Sequence, residues 1–156
     1  MKTKNHPGVY VPPPLIYVAF FLASVLIQKV WPLDSTWVSS TAAHVTAWIL
    51  VGVSLVISIM AVGRFVASKN TVVTVRPATS LQTGGIYSLT RNPMYLALAI
   101  LYCGLGILLG NTWTFILFTP LLLTMQGYVI RREELYLHDA FGDQYDEYKK
   151  KVRRWI

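Results

Sequence analysis

Long apolar runs that carry almost no charge are the feature that most limits what this chain can fold into. Four runs are present, at residues 15–31, 42–65, 95–110 and 112–130. A helix rises 1.5 Å per residue and the hydrocarbon core of a bilayer is about 30 Å thick, so about 20 apolar residues cross it. The second and fourth runs are long enough, whereas the first and third require snorkelling ends or local thinning of the bilayer. The pattern predicts an all-α integral membrane protein with about four transmembrane helices.

The composition agrees with a membrane protein. Apolar residues make up 54% of the chain and charged residues only 13%, whereas a soluble domain has about 25% charged residues. The 14 Lys and Arg residues exceed the 7 Asp and Glu residues, which gives a net charge of +7. Such a charge is compatible with nucleic-acid binding, but the long apolar runs are not typical of those folds. We therefore predict attraction to anionic membrane lipids and no nucleic-acid partner.

The positive charges also predict the orientation in the membrane. Four spans place the N-terminus, residues 66–94 and the C-terminus on one face, and that face carries every Lys and Arg except Lys29. By the positive-inside rule this face is cytoplasmic, so both termini are predicted to lie in the cytoplasm. The expected location is a bacterial inner membrane, or the endoplasmic reticulum in a eukaryote.

The second half of the chain has its own predicted arrangement. Only Asn111 or so separates the third and fourth runs, which predicts a tight antiparallel hairpin. Gly104, Gly106 and Gly110 give the third helix a small-residue face that lets a neighbour approach closely. Pro120 is expected to bend the fourth helix. Residues 131–156 show helical periodicity and are predicted to form one amphipathic cytoplasmic helix.

Two polar clusters flank the hairpin and should be neighbours in space. One lies at residues 83–95 and the other at residues 131–134. The cluster residues suit a polar pocket for a small charged cofactor, because glycines permit close approach and Asn, Tyr and Glu provide polar groups. A purely structural interpretation, in which arginines anchor helix ends and the glycines form a turn, remains open. The scattered histidines and isolated cysteine predict no metal site.

The motifs in these clusters resemble those of the integral membrane methyltransferases. The resemblance rests on the stretch Gly85-Ile86-Tyr87 … Arg91-Asn92-Pro93-Met94-Tyr95, followed by Glu133-Glu134 … Phe141-Gly142 … Tyr145 … Tyr148. This group includes isoprenylcysteine carboxyl methyltransferases and phospholipid N-methyltransferases. The resemblance covers residues 70–156, about half of the chain. Asn92 stands where isoprenylcysteine enzymes usually have His, which is more similar to the bacterial members.

The resemblance implies S-adenosylmethionine as the methyl donor and a set of site residues. The residues that it implies for cofactor binding are Thr79, Ser80, Leu81, Gln82, Tyr87, Asn92, Pro93, Met94, Tyr95 and Glu133. The candidates for a catalytic role are Glu134, Tyr95 and Arg131, of which Glu134 and Tyr95 can assist proton removal from an amine acceptor. Where the family has a substrate-contacting Arg this chain has Val129, so Arg131 or Arg132 is the candidate replacement.

The expected function is therefore methyl transfer to a lipophilic acceptor that enters from the bilayer. The favoured reaction is carboxyl O-methylation of an isoprenylcysteine-type acceptor, and the alternatives are phospholipid N-methylation and small-thiol S-methylation. A non-catalytic membrane scaffold subunit is the alternative from another class. Residues 1–65 are predicted to form a supporting two-helix part and residues 66–156 the cofactor-binding catalytic part, within one structural unit.

Overall fold

The computed structural model of the protein describes residues 7–67 and 80–156, and this part of the chain contains helices and no strand. The helices are α1 (Pro13–Val30), α2 (Thr41–Ala67), α3 (Pro93–Leu108), α4 (Thr112–Thr124), α5 (Arg131–Phe141) and α6 (Asp143–Lys151). Three helical stretches are long and apolar enough to cross a membrane, at Pro13–Val30, Thr41–Arg64 and Thr112–Phe141, and α3 is a shorter apolar helix. The predicted all-α membrane fold with four apolar helices is confirmed.

Local sequence explains where the helices of the hairpin begin and end. Proline occupies the first turn of α1 and of α3, where the backbone N–H has no partner within the helix. Gly110 ends α3 with a φ of 55°, a left-handed conformation that favours glycine. Asn111 then leads directly into α4. The tight hairpin of the third and fourth helices is therefore confirmed.

Two glycines let the helices approach closely, as the sequence predicts. The position of a Cβ on Gly104 is 3.2 Å from the carbonyl oxygen of Ala47 on α2. A Cβ on Gly106 would lie 2.6 Å from Cγ2 of Thr114 on α4. Helix α2 accordingly packs along α3, and α1 packs along α4. Helices from both predicted parts thus share one bundle, and the division at residue 65 stays a prediction.

The fourth run continues as a helix beyond the membrane segment that the sequence predicts. The chain remains helical through Pro120, and a wider π-helical segment, Met125–Ile130, joins α4 to α5. π-Turns inside helices are rare and often occur at functional sites. This wide turn lies immediately before the Arg131–Glu134 cluster, so it determines the directions in which those side chains leave the helix.

The C-terminal tail forms two helices, where the sequence predicts one. Gly142, with a φ of 51°, separates α5 from α6. Residues 152–156 then leave helical structure and run back toward the start of α3. The amphipathic character is confirmed, but a straight single helix is wrong because the backbone turns at Gly142.

The two ends of the bundle carry different polar contacts. At one end, the indole N–H of Trp113 donates to the carbonyl of Trp31 at 2.8 Å, and that of Trp37 donates to Thr112 at 3.1 Å. At the other end, a guanidinium N–H of Arg132 donates to the carbonyl of Gly8 at 2.8 Å. Which end faces the cytoplasm stays a prediction.

Candidate active site

A contact between α3 and α5 forms the centre of the candidate site. The hydroxyl of Tyr95, in the first turn of α3, donates a 2.6 Å hydrogen bond to Oε1 of Glu133. The Tyr95 side chain is buried and Glu133 is half-buried. The hydroxyl of Tyr17 on α1 donates to the Tyr95 carbonyl at 3.0 Å. Three helices therefore hold Tyr95 in place, and within the described residues the second oxygen of Glu133 has no protein partner.

Glu134 points away from that contact and toward two arginines. Its Oε2 accepts from Nη2 of Arg154 at 2.6 Å, and its Oε1 accepts from Nε of Arg154 at 2.9 Å. Nη2 of Arg91 lies 3.1 Å from Oε1 of Glu134. This orientation follows from the 100° step between adjacent helical residues. We call Arg91, Glu134 and Arg154 the arginine clasp.

The last residues of the chain complete the surroundings of Asn92. The Asn92 amide nitrogen donates to the carbonyl of Arg154 at 2.8 Å, and the hydroxyl of Thr90 donates to the same carbonyl at 3.3 Å. The backbone N–H of Arg91 donates to the Arg153 carbonyl at 3.0 Å. This bond uses one of the two N–H groups of the Asn92 amide, and the amide also carries an acceptor oxygen.

Tyr87 lies on a short helical turn, Gly85–Ser88, on the same side of the bundle. Its carbonyl accepts a 2.6 Å hydrogen bond from the hydroxyl of Tyr148 on α6. Burial, reinforced by Tyr148, raises the pKa of the Tyr87 hydroxyl well above its usual range. Burial together with the Glu134 carboxylate raises the pKa of Tyr145 to about 12. Both phenols are therefore neutral at physiological pH and suited to donate hydrogen bonds.

The Gly84-Gly85 pair has a structural partner. A Cβ on Gly84 would collide with the guanidinium of Arg64 from α2, and a Cβ on Gly85 would lie 3.4 Å from Nε of the same side chain. Gly85 also has a φ of 63°. The sequence suggests that this pair allows close approach of a ligand, whereas in the structure the close neighbour is Arg64. A charged side chain from α2 thus borders the candidate site.

The other predicted site residues have different positions. Leu81 packs beside Tyr145 and Tyr148, and the amide of Gln82 donates to Ser80 at 2.9 Å. Pro93 is buried at the start of α3, and Met94 packs against the core. Thr79 lies outside the described residues. Pro93 and Met94 thus immediately precede Tyr95 in α3, whereas Leu81 packs against residues of α6.

The arginines proposed to replace the family's substrate-contacting Arg are not part of the Tyr95–Glu133 contact. Arg131 is exposed and has no ion pair within the described part of the chain. The guanidinium of Arg132 lies 4.4 Å from the ring centroid of Tyr128 and donates to Gly8. Val129 is fully buried in the π-helical segment. The position of the family's Arg is therefore part of the core here.

Sequence reasoning missed Arg154, which contacts both sides of the site. In the sequence, the basic run at the C-terminus indicates only the side of the membrane on which it lies. The partners of Arg154 lie 20 and 62 residues earlier in the chain. No local pattern identifies such pairs, although a charged residue next to an aromatic residue, Trp155, at the end of a helical tail is a weak signal of docking.

Comparison with known families agrees with this geometry. Residues 40–144 match the family described as phospholipid methyltransferase, and this match covers more than half of the chain. The chain belongs to the phospholipid methyltransferase family. The matched range contains both Tyr95 and Glu133, whereas Arg154 lies beyond its end. No solved structure matches the chain.

Individual relatives of this phospholipid methyltransferase family protein match shorter stretches. A protein-S-isoprenylcysteine O-methyltransferase from Schizosaccharomyces pombe is 42% identical over 72 residues, which cover 46% of the chain and 30% of that protein. A probable protein-S-isoprenylcysteine O-methyltransferase from Oryza sativa subsp. indica is 36% identical over 72 residues, which cover 46% of the chain and 38% of that protein.

A third relative is an uncharacterized protein from Haemophilus influenzae. It is 40% identical over 63 residues, which cover 40% of the chain and 100% of that protein. The aligned part of the chain thus spans about a third of the length of the two O-methyltransferases. These relatives support an integral membrane methyltransferase family, and a prokaryotic origin is compatible with the Haemophilus match.

Proposed function

We propose that this protein transfers a methyl group from S-adenosylmethionine to a lipophilic acceptor at the cytoplasmic surface of a membrane. The observation that carries the proposal is the Tyr95–Glu133 hydrogen bond, 2.6 Å long, at the polar end of the helical bundle. It joins the two motifs that resemble those of membrane methyltransferases, and residues 40–144 belong to a methyltransferase family.

The residues present fit the proposed cofactor. Glu133 has one oxygen that Tyr95 does not engage, and this oxygen can accept hydrogen bonds from the hydroxyl or amine groups of S-adenosylmethionine. The Asn92 oxygen provides a second acceptor. The aromatic faces of Tyr87 and Tyr95 suit a sulfonium cation. We assign Glu133, Asn92, Tyr87 and Tyr95 to cofactor binding, and the other cofactor residues that the resemblance implies remain part of the proposal.

When bound, S-adenosylmethionine supplies an electrophilic methyl group with a good leaving group. The protein then has to align donor and acceptor and exclude water, and both tasks depend on the rigidity of the site. The backbone of Tyr95 is held by Tyr17, and that of Tyr87 by Tyr148. These contacts support the alignment of donor and acceptor, and the burial of Tyr95 beside the half-buried Glu133 supports limited access of water.

The state of Glu134 favours a carboxylate acceptor over an amine. An amine has to lose a proton, and Glu134 is one candidate base. Both Glu134 oxygens are engaged by guanidinium groups of the arginine clasp, so neither is available to take that proton. A carboxylate acceptor needs no base, and the exposed Arg131 next to the apolar run can attract it. Tyr95 and the unengaged oxygen of Glu133 are the remaining candidate bases for an amine. We favour carboxyl O-methylation of an isoprenylcysteine-type acceptor because Glu134 is engaged and because relatives of the chain include protein-S-isoprenylcysteine O-methyltransferases.

The acceptor and the donor should arrive by different routes. A lipophilic acceptor reaches the site sideways from the bilayer, whereas the water-soluble cofactor enters from the cytoplasm. Residues 66–156 supply the catalytic part in this proposal, and α1 and α2 support it. Phospholipid N-methylation and small-thiol S-methylation are the alternative reactions.

The proposal is tested with the purified protein in detergent micelles. Calorimetric titration should show saturable binding of S-adenosylmethionine, and Glu133→Ala should bind it much more weakly. Transfer of a labelled methyl group is then measured to a prenylcysteine, to phosphatidylethanolamine and to a small thiol. A carboxyl methyl ester releases labelled methanol in base, whereas N-methyl and S-methyl products do not. Absence of cofactor binding would overturn the proposal and support a scaffold role.

A further inference from the structure

Arg154 contacts both sides of the candidate site, the start of α3 through its backbone carbonyl and α5 through its guanidinium. Its backbone carbonyl accepts hydrogen bonds from Asn92 at 2.8 Å and from Thr90 at 3.3 Å, just before α3. Its guanidinium donates two bonds to Glu134 on α5, at 2.9 and 2.6 Å. Asn92 is two residues after Thr90, and Glu134 is adjacent to Glu133. Arg154 therefore contacts one proposed cofactor-binding residue, Asn92, and the immediate neighbour of another, Glu133.

We propose that Arg154 is a positioning residue for methyl-donor binding, and that the C-terminal segment, residues 152–156, acts as a latch across the site. This inference rests on the proposed function. Arg154 itself is not expected to touch the cofactor, because its guanidinium is occupied by Glu134. It acts by holding Asn92 and Glu133 at a constant separation.

The arginine clasp is buried enough to hold the two sides together. The side chains of Arg91, Glu134 and Arg154 are 10%, 18% and 32% exposed. Two parallel N–H···O bonds between Arg and a carboxylate add orientation as well as energy. The hydrogen bonds to Glu134 also raise the pKa of Arg154, so the guanidinium stays charged. A pair with this geometry is stronger than an exposed surface ion pair.

The latch is also held by contacts on either side of Arg154. Val152 packs against Tyr145 and Tyr148, and Trp155 packs against the main core cluster. The Arg153 carbonyl accepts from the backbone N–H of Arg91. These contacts do not depend on the Arg154 side chain, so removing that side chain should loosen the connection to α5 without releasing the whole segment.

The matched pair of variants is Arg154→Ala and Arg153→Ala. The two residues are adjacent and have the same side chain, but only the Arg154 side chain bonds to Glu134. We expect Arg154→Ala to weaken S-adenosylmethionine binding by about tenfold, which corresponds to the loss of about one charge-assisted hydrogen bond. Arg153→Ala should stay within about twofold of the wild-type protein, since a surface charge contributes little.

Two further readouts separate positioning from general loss of structure. The KM for the methyl donor should rise in Arg154→Ala while the KM for the acceptor stays the same, and Arg154→Lys should recover part of the affinity. Hydrogen exchange without cofactor should increase at residues 90–96 and 131–136 in Arg154→Ala, and at neither in Arg153→Ala. In the double variant Arg154→Ala/Glu134→Gln, the loss should be no larger than in the more affected single variant.

Each outcome decides between the two proposals. If the wild-type protein binds S-adenosylmethionine and Arg154→Ala binds it as well as Arg153→Ala does, the latch is wrong and the proposed function stands. If the wild-type protein does not bind the cofactor, the proposed function and the positioning role are both wrong. Hydrogen exchange then shows only whether the C-terminal segment connects α3 and α5.

Discussion

The hydroxyl of Tyr95 and the carboxylate of Glu133 are 2.6 Å apart, although 38 residues separate them in the chain. The hairpin of α3 and α4 returns the chain to its starting end and so brings them together. This hydrogen bond orients the carboxylate and engages only one of its two oxygens. The first prediction concerns this bond.

Tyr95→Phe removes the hydroxyl but keeps the ring. We expect S-adenosylmethionine binding to weaken by at least about threefold. Without the hydroxyl, the Glu133 carboxylate is less firmly oriented, so its hydrogen bonds to the ligand become weaker. Calorimetric titration measures the change. Tyr102→Phe is the control, since Tyr102 is a buried residue of the same helix whose ring packs on Tyr17 and Phe118. Equal affinities in the two variants would contradict the role of Tyr95.

The second prediction ranks the two adjacent glutamates. Glu133→Ala should weaken S-adenosylmethionine binding by about tenfold to a thousandfold, because one or two charge-assisted hydrogen bonds of about 1.5–3 kcal/mol each are lost. From the sequence alone, Glu134 is expected to face water or an arginine, and its loss is expected to weaken binding by well under tenfold. The structure places Glu134 in the arginine clasp, so we expect a loss of about three- to tenfold at Glu134→Gln. A larger loss at Glu134 than at Glu133 would reverse the assignment.

The third prediction concerns the side of the membrane on which each end lies. In a Cys103→Ala background, single cysteines at Thr36 and at Lys149 should be labelled from opposite sides of sealed vesicles. Lys149 should react from the cytoplasmic side, because the positive charges gather at that end. The structure places Thr36 near the end at which Trp37 bonds to Thr112. Labelling of both cysteines from one side would refute the predicted orientation.

The fourth prediction tests the packing of the helical hairpin. Gly106→Ala should lower the free energy of unfolding by about 1–3 kcal/mol, because the added methyl group meets Thr114 at 2.6 Å and overpacks the interface. Thermal unfolding in detergent measures the loss. Gly52→Ala is the matched control, since among the described residues the added Cβ meets no atom within 4 Å beyond its own stretch of helix. A loss in the control as large as that in Gly106→Ala would show that the effect does not come from this interface.

Much of the fold follows from the sequence, because the forces that set it are local. An apolar run in a bilayer must satisfy its own backbone hydrogen bonds, so it forms a helix whatever its neighbours are. Glycine at position 110 and proline at position 93 mark the ends of α3 for equally local reasons. The sequence also predicts that the two polar clusters are neighbours, because a tight hairpin returns the chain to its starting end.

The tertiary structure decided which residues of the two clusters contact each other. Whether Glu134 meets water or an arginine depends on where residues 152–156 return, and that path depends on Gly142 and on packing of Trp155 and Val152. Pairing between residues 20 to 62 positions apart is set by packing of the whole molecule and leaves no periodic pattern. The sequence by itself therefore determined the helices and the candidate motifs, whereas only the folded bundle decided the partners of Glu133, Glu134 and Arg154.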